Sequence, residues 1–237
     1  MEIFFLIFLF LSAYSYLIYP CILLLLSIIK QNPWAKENIL PIISIIVSVH
    51  NEQGVIQKKI RNTLELKYPE DSLEIIISSD GSTDRTDQIV SEINDPHVAL
   101  LSFERLGKTA CLNKVVPAAK GDIIVFTDAN SMFPSDLLSK LTRNFADIDV
   151  GLVTGWTKYR SQEGEEDSTG IYARLEKWTK DRESMISSCI GADGAVFAIR
   201  KNLYRSLDDR DINDFQIPLN IRHSSGCQYS LEDESDG

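Results

Sequence analysis

Three apolar stretches of the chain stop abruptly at side chains that can offer oxygen or nitrogen atoms to a ligand. Residues 42–49 run into His50-Asn51-Glu52, residues 73–78 into Asp80-Gly81-Ser82-Thr83-Asp84, and residues 122–126 into Thr127-Asp128-Ala129-Asn130. Carboxylate and amide oxygens suit a hard divalent cation such as Mg²⁺ or Mn²⁺, usually shared with substrate phosphates. One strand-end carboxylate is often only a turn former or a helix cap. Three of them on one edge would ring a crevice. Lys108, in Gly107-Lys108-Thr109, could meet a phosphate, but the earlier glycine of a Walker loop is missing and so is a Gly-x-Gly-x-x-Gly fingerprint. A nucleotide would then be held by carboxylates, a metal and a lone lysine rather than by a glycine-rich cradle.

The elements that must position these groups follow from the hydropathy pattern. The β-branched run 42–49 predicts a strand buried on both faces, as in a parallel sheet covered by helices. A helix follows over 52–66, with Val55, Ile56, Ile60 and Leu64 on its apolar face and Lys58, Lys59 and Arg61 on the other. Further strands are expected at 73–78, 98–102, 122–126, 150–154 and 196–200. Helices are expected at 85–93, 107–116, 135–145 and 171–186, with a polar loop over 155–170. Strands alternating with helices predict an α/β fold whose sheet is mostly parallel, with right-handed crossovers. In such sheets ligands bind at the carboxyl ends of the strands.

The first 30 residues carry another message. Residues 3–29 hold no charged side chain, which is longer than the roughly 20 residues needed to cross a bilayer as a helix. Glu2 rather than a basic residue precedes the run, and no clean small-x-small site follows it, so a cleaved signal peptide fits poorly. Lys30 and Lys36 lie after the span, which places the rest of the chain in the cytoplasm, on the inner face of the plasma membrane. The expected organisation is a transmembrane anchor at 1–30, a linker at 31–41, a catalytic α/β domain at 42–222, and an acidic tail at 223–237 that is disordered or truncated.

A net charge of −10 argues against nucleic acid as a partner. Cys21, Cys111, Cys189 and Cys227 are scattered without Cys-x-x-Cys spacing, which argues against a zinc site or a disulfide framework and for a reducing compartment.

Taken in order, His50-Asn51-Glu52, Asp80-Gly81-Ser82-Thr83-Asp84, Gly107-Lys108-Thr109-Ala110-Cys111-Leu112-Asn113, Thr127-Asp128-Ala129-Asn130, Gly191-Ala192-Asp193-Gly194-Ala195 and Asp211-Ile212-Asn213-Asp214-Phe215 resemble a family 2 glycosyltransferase of the GT-A fold. The likeness runs from about residue 41 to about 222. It is similar to membrane-anchored bacterial synthases of the poly-N-acetylglucosamine, hyaluronan and cellulose type.

The resemblance implies roles. Asp80 would face the base and Glu52 the ribose, with His50 and Asn51 shaping that pocket and Lys108 approaching the diphosphate. Asp128 and Asn130 fill the two positions of the DXD motif that holds Mg²⁺ or Mn²⁺. Asp193 and Gly194 would line the acceptor site, and Asp214 would be the general base, with Asp211 as the fallback. The implied reaction is inverting transfer of a sugar from a nucleotide-diphospho-sugar, a UDP-sugar first of all, to a hydroxyl of a glycan or lipid-linked acceptor. The membrane, and other membrane subunits, would be further partners.

The Gln-x-x-Arg-Trp motif and the later spans of processive relatives do not follow, so the chain reads as a C-terminally truncated or frameshifted form, or as a stand-alone catalytic domain. Other readings stay open on residues alone: an impaired partner of a full-length synthase, a nucleotidyltransferase, or a secreted α/β binding protein.

Overall fold

The computed structural model describes residues 1–29, 34–155, 171–186, 191–225 and 228–231. Within this the chain forms two compact units. The expected polar loop at 155–170 lies, from residue 156 on, outside the described residues.

The first unit is helical. Helix α1 (Glu2–Ala13) passes through a π-helical turn, Tyr14–Ile18, into α2 (Tyr19–Ile29). Pro20 has no N–H to return to the preceding turn, and the backbone adjusts just before it, with Tyr19 N–H reaching back to Tyr14 O. The whole segment Glu2–Ile29 is long and apolar enough to cross a membrane, and among its described side chains few are buried. The amphipathic helix spanning Ile171–Ile186 belongs to the same unit and packs on α2, where Tyr19 Oη donates to Glu183.

The second unit is built on a sheet. Its first strand, β1 (Ile43–Val49), is followed by α3 (Ile56–Leu64), β2 (Leu73–Asp80), α4 (Thr86–Ser91), β3 (Val98–Phe103), α5 (Lys108–Ala118) and β4 (Ile123–Asp128). After α6 (Leu137–Thr142) and β5 (Val150–Thr154), and with Ile171–Ile186 taken as α7, the chain adds β6 (Val196–Arg200), α8 (Asn213–Ser225) and β7 (Gln228–Leu231). The strand order is β3-β2-β1-β4-β6-β5-β7. Strands β1 to β4 are mutually parallel, β6 runs antiparallel to both β4 and β5, and β7 pairs parallel with β5. Helix α8 extends past residue 222, and it and β7 enter the stretch expected to be a tail.

Both faces of the sheet are buried, which is why β1 could be so uniformly apolar. Ile43, Ile45, Val47 and Val49 join Ile75, Ile77, Ile123 and Val125 in a core with Ile56 and Ile60 of α3 and Leu137, Leu138 and Leu141 of α6. Phe126, on the other face, stacks on Phe197 with ring centroids 4.7 Å apart, and α5 buries Cys111, Leu112, Val115 and Val116.

One expectation is corrected here. Lys59 does not lie on the polar face of α3 with Lys58 and Arg61; it is fully buried, between Ile56, Ile60 and Thr63. The 56-59-60-63 spacing is the inward stripe of a helix, so the geometry of the helix overrides the residue type.

Candidate active site

The parallel register brings the polar strand ends together. Ser48 of β1 lies opposite Ser78 of β2 on one side and Asp128 of β4 on the other. At this edge a cleft of about 250 Å³ is lined by Ser48, His50, Ser78, Asp80, Arg105, Gly107, Lys108, Cys111 and Asp128. Four of the expected residues, His50, Asp80, Lys108 and Asp128, therefore share one cavity.

Asp80 is the most tightly held of them. One carboxylate oxygen accepts from the backbone N–H groups of Leu106 (2.7 Å) and Gly107 (3.0 Å), with the Cys111 thiol at 3.5 Å. The other accepts from Arg105 Nη1 at 2.7 Å. Burial alone would raise its pKa, but the two amides, the thiol and the guanidinium prevail and hold the carboxyl below the usual carboxylate range. The same surroundings push the Cys111 thiol up to about 11, through burial first and the Asp80 charge second. Gly81, at φ +63°, lets the chain turn here, and a Cβ on it would meet Arg105 N at 2.7 Å, so this loop packs closely against the Arg105 backbone.

His50 and Asn51 act on this loop from β1. His50 Nδ1 lies 2.8 Å from Asp80 O, and since a carbonyl can only accept, Nδ1 carries the proton. Asn51 is a non-glycine residue at φ 56°. Its Oδ1 accepts from Thr83 N–H at 2.8 Å and Asp84 N–H at 3.3 Å, so it braces the 82–84 turn instead of lining the cleft. Glu52 is partly exposed next to it; its backbone N–H donates to Thr86 Oγ1, and its carboxylate is not among the cleft-lining groups.

Across the cleft, Lys108 Nζ donates to Asp128 Oδ1 at 2.6 Å. Asn130, two residues on, is exposed. Among the described residues no group of three or more His, Cys, Asp or Glu side chains could hold a metal by itself. If the Asp128-Ala129-Asn130 segment holds a cation, the protein would offer it one carboxylate and one amide oxygen. That fits Mg²⁺ or Mn²⁺, which keep several waters and bind through one or two carboxylates plus substrate phosphates.

The expected acceptor residues gather separately. Asp193 N–H donates to Thr154 Oγ1 at 2.7 Å, and Ala192 N–H to Asp214 O at 2.8 Å. A Cβ on Gly194 would stand 2.9 Å from Asp214 Oδ2, so only glycine leaves that carboxylate its place. Asp211, the alternative base, is committed to its own turn, where its carboxylate accepts from Asp208 N–H at 2.8 Å. The loop is tied to the cleft by Thr109 Oγ1, next to Lys108, donating to Asp211 O at 2.9 Å.

Several cleft residues went unnoticed in the sequence. Arg105 and the amides of Leu106 and Gly107 reach Asp80 from 25 to 27 positions away. Ser78 Oγ is buried in the cleft lining without a hydrogen-bond partner among the described residues. The pairing of Ser48 with Ser78, two small hydroxyls inside β-branched strands, was the available signal.

The architecture is that of nucleotide-sugar transferases of GT-A type. A family model, Glycosyl transferase family 2, matches residues 44–218. The chain belongs to glycosyl transferase family 2. It is 36% identical over 119 residues to a beta-monoglucosyldiacylglycerol synthase of Nostoc sp., covering 48% of this chain and 25% of that protein. It is 31% identical over 123 residues to a poly-beta-1,6-N-acetyl-D-glucosamine synthase of Staphylococcus aureus, covering 51% and 29% respectively. The chain thus spans less than a third of the length of these curated relatives. Among solved structures, the mannosyltransferase PcManGT from Pyrobaculum calidifontis, in complex with GDP-Man and Mn²⁺, superposes with a TM-score of 0.75 at 23% identity, covering 94% of this chain and 66% of that one.

Proposed function

We propose that this chain is the catalytic portion of an inverting, metal-dependent glycosyltransferase. It takes a hexose from a nucleotide-diphospho-sugar, a UDP-sugar in the first instance, and delivers it to a hydroxyl of a glycan or lipid-linked acceptor. The observation that carries this reading is the convergence on one cleft of Asp80 and Asp128, at the carboxyl ends of the parallel strands flanking β1, and Lys108, at the start of α5, in a chain of this family. The relatives named above are synthases of a glycolipid and of a polysaccharide, and the solved neighbour is in complex with a nucleotide-sugar and Mn²⁺.

In this reading the nucleoside enters on the Asp80 side, with Glu52 and His50 at its margin. Lys108 leaves its contact with Asp128 to pair with the diphosphate. Asp128 and Asn130 hold the cation, which would offset negative charge building on the leaving diphosphate. Asp214 takes the proton from the acceptor hydroxyl as that oxygen attacks the anomeric carbon from the side opposite the diphosphate. Asp193 and Gly194 shape the acceptor's approach. Glu2–Ile29 anchors the chain in the plasma membrane with the sheet domain in the cytoplasm, where nucleotide-sugars are available.

The experiment is a screen of UDP- and GDP-sugars with Mn²⁺ or Mg²⁺, on the full chain in detergent, with product analysis. Release of nucleoside diphosphate with formation of a glycosidic bond is expected from one donor class. No binding of any nucleotide-sugar by the folded protein would overturn the reading.

A further inference from the structure

Lys59 stands out in the domain. Its side chain has no solvent exposure and occupies a slot in the apolar stripe of α3, between Ile56, Ile60 and Thr63, where an aliphatic side chain would pack. Burial disfavours its ammonium, drawing its pKa down to about 7 against the opposing pull of the Asp128 charge. A group kept in so unfavourable a place asks for a reason outside packing.

The reason is visible in what the ammonium holds. Nζ donates to Thr127 Oγ1 at 3.1 Å and to Ser131 O at 2.5 Å, and it stands 3.4 Å from the centroid of the Phe133 ring. Thr127 and Ser131 are the residues immediately before and after Asp128-Ala129-Asn130. One turn further along α3, Asn62 fixes Phe133 at both backbone groups, accepting from its N–H at 2.7 Å and donating to its C=O at 2.9 Å.

The strand end itself cannot supply these contacts, because β4 stops at Asp128. Side-chain alternation on β4 sends Thr127 to the α3 face of the sheet and Asp128 to the α5 face, where Lys108 meets it. Thr127 Oγ1 in turn donates to Ala195 O at 2.8 Å, so the same chain of hydrogen bonds reaches the segment beside Asp214.

We propose that Lys59, seconded by Asn62, is a positioning residue that fixes the backbone of the Asp128–Asn130 segment from the opposite face of the sheet, and so sets the affinity for the divalent cation. This rests on the assignment of Asp128 to the cation made above.

The test measures UDP binding to the full chain in detergent by titration calorimetry, once in EDTA and once with saturating Mn²⁺, together with thermal melting without ligand. For Lys59→Met, UDP affinity in EDTA stays within about 2-fold of the native protein. The additional tightening given by Mn²⁺ falls by about 10–100-fold, the usual size of outer-shell effects on metal affinity. A purely structural role would lower the melting temperature and weaken both measurements together. Should Lys59→Met fail to fold, Thr127→Val and Thr127→Ser decide. Valine removes the hydroxyl and diminishes the Mn²⁺ effect, and serine restores it. Full Mn²⁺ tightening in a folded Lys59→Met, or in Thr127→Val, overturns the proposal. Absence of any Mn²⁺-dependent UDP or GDP binding by the native chain overturns instead the reading on which it rests, and the proposal with it.

Discussion

Two aspartates from family motifs, Asp80 and Asp214, are treated very differently by the fold. Asp80 ends a central strand, is buried, and accepts from two amides and a guanidinium, with a thiol against it. Asp214 lies in the first turn of α8, partly exposed. Among the described residues its carboxylate accepts no hydrogen bond, and its nearest constraint is the missing Cβ of Gly194. In the proposed reading the donor side of the site is preorganised by the strands of the sheet, and the acceptor side is a short loop and a helix start, shaped by exclusion. A group that only holds a ligand can be locked in advance. A base that must receive a proton keeps its lone pairs open until the acceptor arrives.

The largest effects should separate the two sides. Asp214→Asn is expected to reduce turnover by about 10²–10⁴-fold, the range for loss of a general base, while UDP affinity with Mn²⁺ stays near the native value. Steady-state rates and calorimetry on the same preparation check this. Retained transfer would move the base elsewhere, with Asp211 a poor substitute since its carboxylate caps the Asp208 amide. Asp128→Ala should do the reverse to binding. The Mn²⁺-dependent gain in UDP affinity is lost entirely, a loss at least as large as the outer-shell effect of about 10–100-fold, while the metal-free affinity stays close to native. If Mn²⁺ still tightens UDP in Asp128→Ala, the cation does not sit there and the donor side is misassigned.

A smaller effect probes how the acceptor side is shaped. Gly194→Ala places a Cβ 2.9 Å from Asp214 Oδ2, tighter than ordinary contact, so the carboxylate must move. Turnover should fall several-fold with little change in donor affinity or in melting temperature. An unchanged rate would mean that the position of Asp214 is not set by this contact.

The fold was legible in the sequence because strands and helices alternate cleanly from β1 to β5, and the ends of β1, β2 and β4 announce themselves by a jump in polarity. The cleft residues at strand ends were legible for the same reason. What was not legible depends on contacts distant in sequence or on position outweighing type. The lock on Asp80 is made by backbone amides of 106 and 107, which no residue identity reveals. Residue type alone puts Lys59 on the polar face, although its spacing from Ile56 and Ile60 belongs to the inward stripe. Strand β7 has four residues and exists through pairing with β5, not through any pattern of its own.

The smallest expected effect tests the lock itself. The folded pKa of Asp80 is depressed relative to its unfolded value of about 3.9. A carboxylate shifted in that direction contributes stability that is fully present above the unfolded pKa and is lost as the pH falls through the folded value. Asp80→Asn keeps the shape and removes the charge, so at pH 6 it should be less stable than the native protein by about 1.5–3 kcal/mol, the size of a charge-assisted hydrogen bond to a buried group. As the pH falls from about 4 through the depressed folded value that gap should close, because the native side chain then becomes neutral as well. Thermal melts of both proteins over this range in EDTA give the gap directly. Asp214→Asn, whose carboxylate accepts no hydrogen bond among the described residues, provides the contrast with a gap near zero at pH 6. A gap for Asp80→Asn that does not narrow at all as the pH is lowered below about 4 would show that the amides of Leu106 and Gly107 hold the side chain equally well without its charge. The preorganisation of the donor side would then lie in backbone shape alone.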